Sequence, residues 1–198
     1  MPIRGEKVSW EFIYDGFKIL SMEAEYAYSD GTANKHIQER IYAEAFALSL
    51  LGFLIPFTFG HPQLLVGVLV NAFIIRAALT LPTNRALPVL FTPTLGVLSR
   101  GLLFGPYTPY IIYMTPFIWI GNYVLYWAMK SNALGKSSAI KLAIGSCAKA
   151  AFLYSTAYVL YTADILPALF LPAMGVFQFA TAVAGGILVL GYGKVKRS

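Results

Sequence analysis

Long apolar runs separated by short polar turns make up most of the chain after its first forty residues. A helix needs about 20 predominantly apolar residues to cross the hydrocarbon core of a bilayer. Turns that contain glycine, proline, asparagine or lysine divide the runs into segments of about that length. The pattern therefore predicts an all-α domain of six transmembrane helices. The predicted spans are residues 41–59, 64–81, 86–104, 108–129, 139–161 and 165–192.

The first forty residues have a different pattern. In residues 8–27, apolar side chains recur at alternating spacings of three and four, with charged side chains between them. This spacing predicts an amphipathic helix, and the polar residues 29–34 predict a turn after it. We expect a cytoplasmic or interfacial segment, 1–40, followed by a transmembrane domain, 41–198. The amphipathic helix lies on the cytoplasmic interface or on a partner, or it is a surface anchor with no further role.

The composition agrees with a multi-pass protein of the cell membrane. The chain is 58% hydrophobic and 12% charged, whereas a soluble domain carries about 25% charged residues. The formal charge of +6 belongs to the membrane domain, because residues 41–198 contain ten Lys or Arg and only two acidic residues, Glu44 and Asp164. We interpret this basic balance as a sign of topology and contact with anionic lipid, not of nucleic-acid binding.

The distribution of basic residues between the turns predicts the orientation. The turns on one side contain His61, residues 105–107 and Asp164, with no Lys or Arg. Cytoplasmic segments carry an excess of Lys and Arg, so both chain termini are expected in the cytoplasm. The basic residues that this orientation places inside are Arg40, Arg85, Lys130, Lys136, Lys194, Lys196 and Arg197.

Lys149 is the strongest candidate for a functional residue because it lies near the middle of the fifth predicted span. A lysine at this depth is paired, neutral or in contact with water. The only acidic residues in or next to the spans, Glu44 and Asp164, are at other depths. A ligand or water is therefore the expected partner.

Other polar side chains in the spans are candidate ligand contacts. Arg100 suits a carboxylate or phosphate, although it can also extend to the outer surface. Asn71 and Asn122 can hydrogen bond to a ligand, and Asn71 can equally join two helices.

Three aromatic residues complete the candidate set. Trp119 shares a helical stripe with Asn122, and Tyr110 and Tyr158 lie toward the outer ends of their spans. We expect these rings to stack on the ligand, whereas other tyrosines of the chain belong to the aromatic belt at the membrane interface.

The sequence argues against an enzyme, a metal site and a cofactor. It has no paired carboxylates, no histidine within a span and no glycine-rich phosphate loop. The predicted mid-membrane region also lacks the carboxylate that proton or sodium coupling normally needs. Energy for transport would have to come from a partner.

Several short motifs give the chain a resemblance to S components, the substrate-binding membrane subunits of energy-coupling-factor ABC transporters. The resemblance covers residues 41–161 and includes a lysine in the fifth span. The motifs are Val70-Asn71, Thr92-Pro93, Pro116-Phe117, Gly121-Asn122 and Lys149.

The resemblance implies a set of partners and a docking surface. It implies that the ligand is captured in the outer half of spans four to six and the loops before spans two and four. Two ATPase subunits and a coupling transmembrane subunit would then drive its release. Small residues spaced by four on the first span would dock the coupling subunit. Ala43 and Ala47 have this spacing, with Ala45 and Ser49 as a second register, although such residues also serve plain helix packing.

These observations predict a substrate-capture subunit of an uptake transporter for a small water-soluble ligand, either vitamin-like or otherwise anionic. The alternative is a structural or ion-conducting accessory subunit of a larger membrane complex, with the N-terminal helix as its docking element.

Overall fold

The structure is a computed structural model that describes residues 10–59, 62–101 and 110–195, with the backbone alone at 10–33 and 193–195. All regular secondary structure in these residues is helical, and they contain no strand, which confirms the predicted all-α class. The helices are α1 (Trp10–Thr58), α2 (Gln63–Thr80), α3 (Thr83–Arg100), α4 (Ile111–Lys130), α5 (Ser138–Thr162), α6 (Phe170–Met174) and α7 (Val176–Val195).

The chain divides into two compact units, Met1–Arg40 and Ile41–Ser198. In the first unit, the backbone is helical from Trp10, and residues 29–34, where a turn was expected, lie within the bounds of α1. The side chains of the predicted amphipathic face in residues 8–27 lie outside the described set.

Three stretches of helix are long and apolar enough to cross a membrane, so the chain is a membrane protein. They are Asn34–Thr58, Gln63–Thr80 and Phe170–Tyr192. The predicted outer turns at His61 and 105–107 lie outside the described residues.

The third helix ends earlier than predicted. It stops at Arg100 because Gly101, with a φ of 68°, takes the left-handed conformation that ends many helices. Glycine adopts this conformation at little steric cost because it has no Cβ.

The last predicted span is interrupted near its start. The predicted span began at residue 165, but residues 163–169 form turns after α5, and Asp164 there has a φ of 58°. Gly175 has φ and ψ both at −99°, outside the helical conformation, and it separates α6 from α7. The expected single helix is therefore two helices.

Two apolar clusters form the core of the second unit. One contains Ile74, Leu125 and Leu142, and the other contains Met114 and Leu153. Along both α4 and α5, residues of the two clusters lie on opposite sides of a polar position, Asn122 on α4 and Lys149 on α5. A polar layer therefore separates the two clusters.

Helices α2 and α7 approach each other closely beside this layer. A Cβ atom added to Gly185 would lie 2.7 Å from both Ala72 N and Val68 O, and one added to Gly67 would lie 2.9 Å from Thr181 Cγ2. Small residues at such crossings allow helix backbones to approach closely. This contact fixes the positions of the polar side chains on α2 and α7.

The substitution Gly185→Ala is expected to destabilise the protein. The added methyl group must push two backbones apart, a change that costs about 1–3 kcal/mol and lowers the apparent melting temperature in detergent by roughly 2–12 °C. Gly191→Ala is the matched control on the same helix, because nothing lies within 4 Å of its added Cβ. Equal melting temperatures for the two variants would contradict the assigned contact.

Candidate functional site

Lys149 lies at the centre of a buried polar cluster. The side chain is only 2% exposed. Its Nζ atom donates hydrogen bonds to Asn71 Oδ1 at 2.6 Å and to Asn122 Oδ1 at 2.8 Å. The cluster thus joins α5 to α2 and α4, and it brings together three residues that the sequence marked as candidate ligand contacts.

The surroundings of the two asparagines fix the direction of their amides. Asn71 Nδ2 donates to Gly67 O at 2.9 Å, and Asn122 Nδ2 donates to Leu90 O at 2.9 Å. A backbone carbonyl only accepts hydrogen bonds, so each amide nitrogen must face its carbonyl. Both amide oxygens consequently face Lys149.

Thr181 extends the cluster to α7. Its hydroxyl donates to Phe177 O at 2.7 Å and accepts a hydrogen bond from Asn71 Nδ2 at 3.0 Å. With Leu90 on α3, the hydrogen bonds connect five helices. The ammonium position is therefore defined by the whole bundle and not by one neighbour.

A cavity extends from this cluster toward the start of α2. The cavity volume is about 120 Å³, which is room for several waters at roughly 10–15 Å³ each, or for one small solute. Its lining includes Asn71, Asn122 and Lys149 of the polar cluster, and also Gln63 and Leu64 at the start of α2. Most of the remaining lining is apolar, which is typical of ligand sites with a few convergent polar groups.

Lys149 is the only charged residue among the described residues that line the cavity. The ion pairs in the described part of the chain are His36–Glu39 and Arg76–Glu44, and neither includes it. A protonated lysine has three N–H donors, and the two asparagines accept two of them. One donor remains for an acceptor in the cavity.

Arg100 lies elsewhere, at the end of α1. Its Nη1 atom donates to Phe57 O at 3.2 Å and to Thr58 O. These carbonyls belong to the last turn of α1, where they lack partners within the helix. Arg100 caps α1 and does not line the cavity.

The three candidate aromatic residues are also outside the cavity lining. Trp119 packs against Phe91 with ring centroids 5.0 Å apart, and Tyr110 packs against Phe170 at 6.4 Å. Tyr158 is 50% exposed and stacks on its neighbour Tyr154.

The proposed docking residues lie on the surface of the second unit. Ala43 and Ala47 are exposed, whereas Ala45 is buried in the core. The face with Ala43 and Ala47 is open to lipid or a partner helix, and docking there stays a prediction.

The structure adds lining residues that were not among the candidates. They include Gln63, Thr94, Gln178 and Thr181. Gln178, Thr181 and Gly185 are spaced by three and four, which places them on one face of α7. This spacing was a usable signal in the sequence.

Comparison with protein-family models, curated proteins and solved structures finds no match for the chain. Within the described residues, no group of three or more His, Cys, Asp or Glu side chains is placed to hold a metal ion.

Proposed function

We propose that the protein is the substrate-capture membrane subunit of an energy-coupling-factor type uptake transporter, and that it binds a small water-soluble anion in the cavity. The observation that carries this proposal is the buried Lys149, held by two amide oxygens at the cavity end, with no carboxylate paired to it in the described residues. The resemblance to S components supplies the transporter class.

An anion suits this site for electrostatic reasons. A charge away from water is costly unless an opposite charge or strong hydrogen bonds compensate it. The amide oxygens of Asn71 and Asn122 supply two hydrogen bonds but no negative charge. A ligand carboxylate would accept the third N–H and neutralise the ammonium, which forms a charge-assisted hydrogen bond.

Partner subunits supply the energy in this proposal. The described residues that line the cavity include no carboxylate that could bind a coupling proton or sodium ion. Two ATPase subunits and a coupling transmembrane subunit would fill this role. The exposed Ala43 and Ala47 on α1 are the proposed contact for the coupling subunit.

The proposal includes six transmembrane spans with both termini in the cytoplasm. The helices α3, α4 and α5 have 18, 20 and 25 residues, which corresponds to about 27–37 Å at 1.5 Å per residue. The hydrocarbon core is about 30 Å thick. The three helices pack in one bundle with the apolar helices α2 and α7.

Replacement of the lysine should abolish ligand retention. Loss of a charge-assisted hydrogen bond weakens binding roughly 10- to 100-fold, so Lys149→Met protein should lose the anion that mass spectrometry detects in extracts of purified wild-type protein. Lys141→Met is the matched control, because Lys141 lies on the same helix, is 9% exposed and does not line the cavity.

The two variants separate the possible outcomes. Equal retention of the anion by Lys149→Met protein that elutes as a monodisperse species would refute the site. Co-purification with redox subunits in place of ATPase and coupling subunits would favour the accessory-subunit alternative.

Cysteine labelling tests the proposed orientation. In a Cys147→Ser background, an impermeant maleimide should label Asp164→Cys in intact cells but label Asn132→Cys only after permeabilisation, because the two sites flank α5 on opposite sides. Both original residues are exposed in the structure. Labelling of both cysteines from outside would show that α5 does not cross the membrane.

A further inference from the structure

The cavity has a second polar region, formed by the side-chain amides of Gln63 on α2 and Gln178 on α7. Neither amide forms a hydrogen bond to another described residue. We infer that the cavity selects a monoanionic ligand with an apolar middle and an uncharged hydrogen-bonding group at its other end. This inference rests on the proposed function and names the ligand class.

The packing of α2 against α7 places the two glutamines at the same level. Gly67 faces Thr181 across the interface. Gln63 lies about one helical turn before Gly67, at a spacing of four residues, and Gln178 lies about one turn before Thr181, at a spacing of three. Residues at these spacings share a helix face, so the two amides lie on the same side of the interface as the Gly67–Thr181 contact.

The distance between the two polar regions sets the length of the ligand. Gln63 precedes Asn71 by eight residues, about 12 Å along α2, and Gln178 precedes Thr181 by three residues, about 4.5 Å along α7. The ligand must therefore bridge a gap of about 5–12 Å. A short chain with a polar group at each end fits this range.

Most of the cavity lining outside the two polar regions is apolar. It includes Val66, Val70, Val97, Ile118 and Met174, and the polar exception among the described residues is Thr94. A polar group on the middle of the ligand would lose its bonds to water without replacement, at a cost in binding free energy. The middle of the ligand is therefore hydrocarbon.

The charges of the lining restrict the far end of the ligand to an uncharged group. A ligand ammonium would find no carboxylate among the described lining residues, and a second carboxylate would find no second cation. A primary amide both donates and accepts hydrogen bonds, so it pairs with a hydroxyl or another amide. The site thus selects against zwitterions and dianions.

Isothermal titration calorimetry of the full-length detergent-solubilised protein at pH 7 tests this selection with six-carbon probes. One added neutral hydrogen bond should make 6-hydroxyhexanoate bind about 2- to 10-fold more tightly than hexanoate. Adipate and 6-aminohexanoate should bind more weakly than hexanoate.

Variants of Gln63 and Gln178 test whether their amides cause the tighter binding of 6-hydroxyhexanoate than of hexanoate. Gln63→Leu and Gln178→Leu should each reduce the preference for 6-hydroxyhexanoate over hexanoate, because each variant lacks an amide that would bond to the hydroxyl. Gln38→Leu is the control, because Gln38 is exposed on the first unit and should keep the full preference.

The outcomes distinguish failure of this inference from failure of the proposed function. Lys149-dependent binding with equal affinity for hexanoate and 6-hydroxyhexanoate would overturn the inference alone. Tighter binding of decanoate than of 6-hydroxyhexanoate would indicate an acyl-chain occupant and would also overturn it. No Lys149-dependent binding of any probe would overturn both.

Discussion

The organisation of the bundle depends on the hydrogen bonds that Lys149 donates to Asn71 and Asn122. A lysine that is 2% exposed has lost nearly all contact with water, and such a group is costly unless protein replaces the lost hydrogen bonds. Two amide oxygens from two other helices do so in part. Each amide is also held by a backbone carbonyl, so movement of any of these helices would break a buried hydrogen bond. One side chain, Lys149, therefore helps to set both the packing of the helices and the geometry of the candidate site.

Backbone packing makes this arrangement possible. The crossing at Gly185 brings α7 close enough for Thr181 to accept from Asn71 at 3.0 Å. The Lys149 cluster lies between two apolar clusters, so its electrostatic interactions act away from water, where they are stronger. Lys149 also lines the cavity, so an acceptor in the cavity can reach its third N–H. Structural stability and proposed ligand capture therefore depend on the same atoms.

The sequence predicted the helical class, and it marked Asn71, Asn122 and Lys149, which the structure brings together, because a polar group inside an apolar span needs a partner wherever it lies. It did not predict where Arg100 points, since the last carbonyls of α1 compete with a ligand for the same donor. The break at Gly175 was missed because length and hydropathy do not register the backbone conformation of a single glycine. Trp119 and Tyr158 show that residue type alone does not distinguish a cavity wall from a helix contact.

A crystal structure of the protein soaked with 6-bromohexanoate would test the central claim most directly, since the anomalous signal of bromine locates the ligand independently of the protein. The account predicts one bromine peak near Gln63 and Gln178, with the carboxylate in hydrogen-bond contact with Lys149 Nζ. A bromine peak on the outer surface of the helices, or a cavity that holds only water beside Lys149, would contradict it.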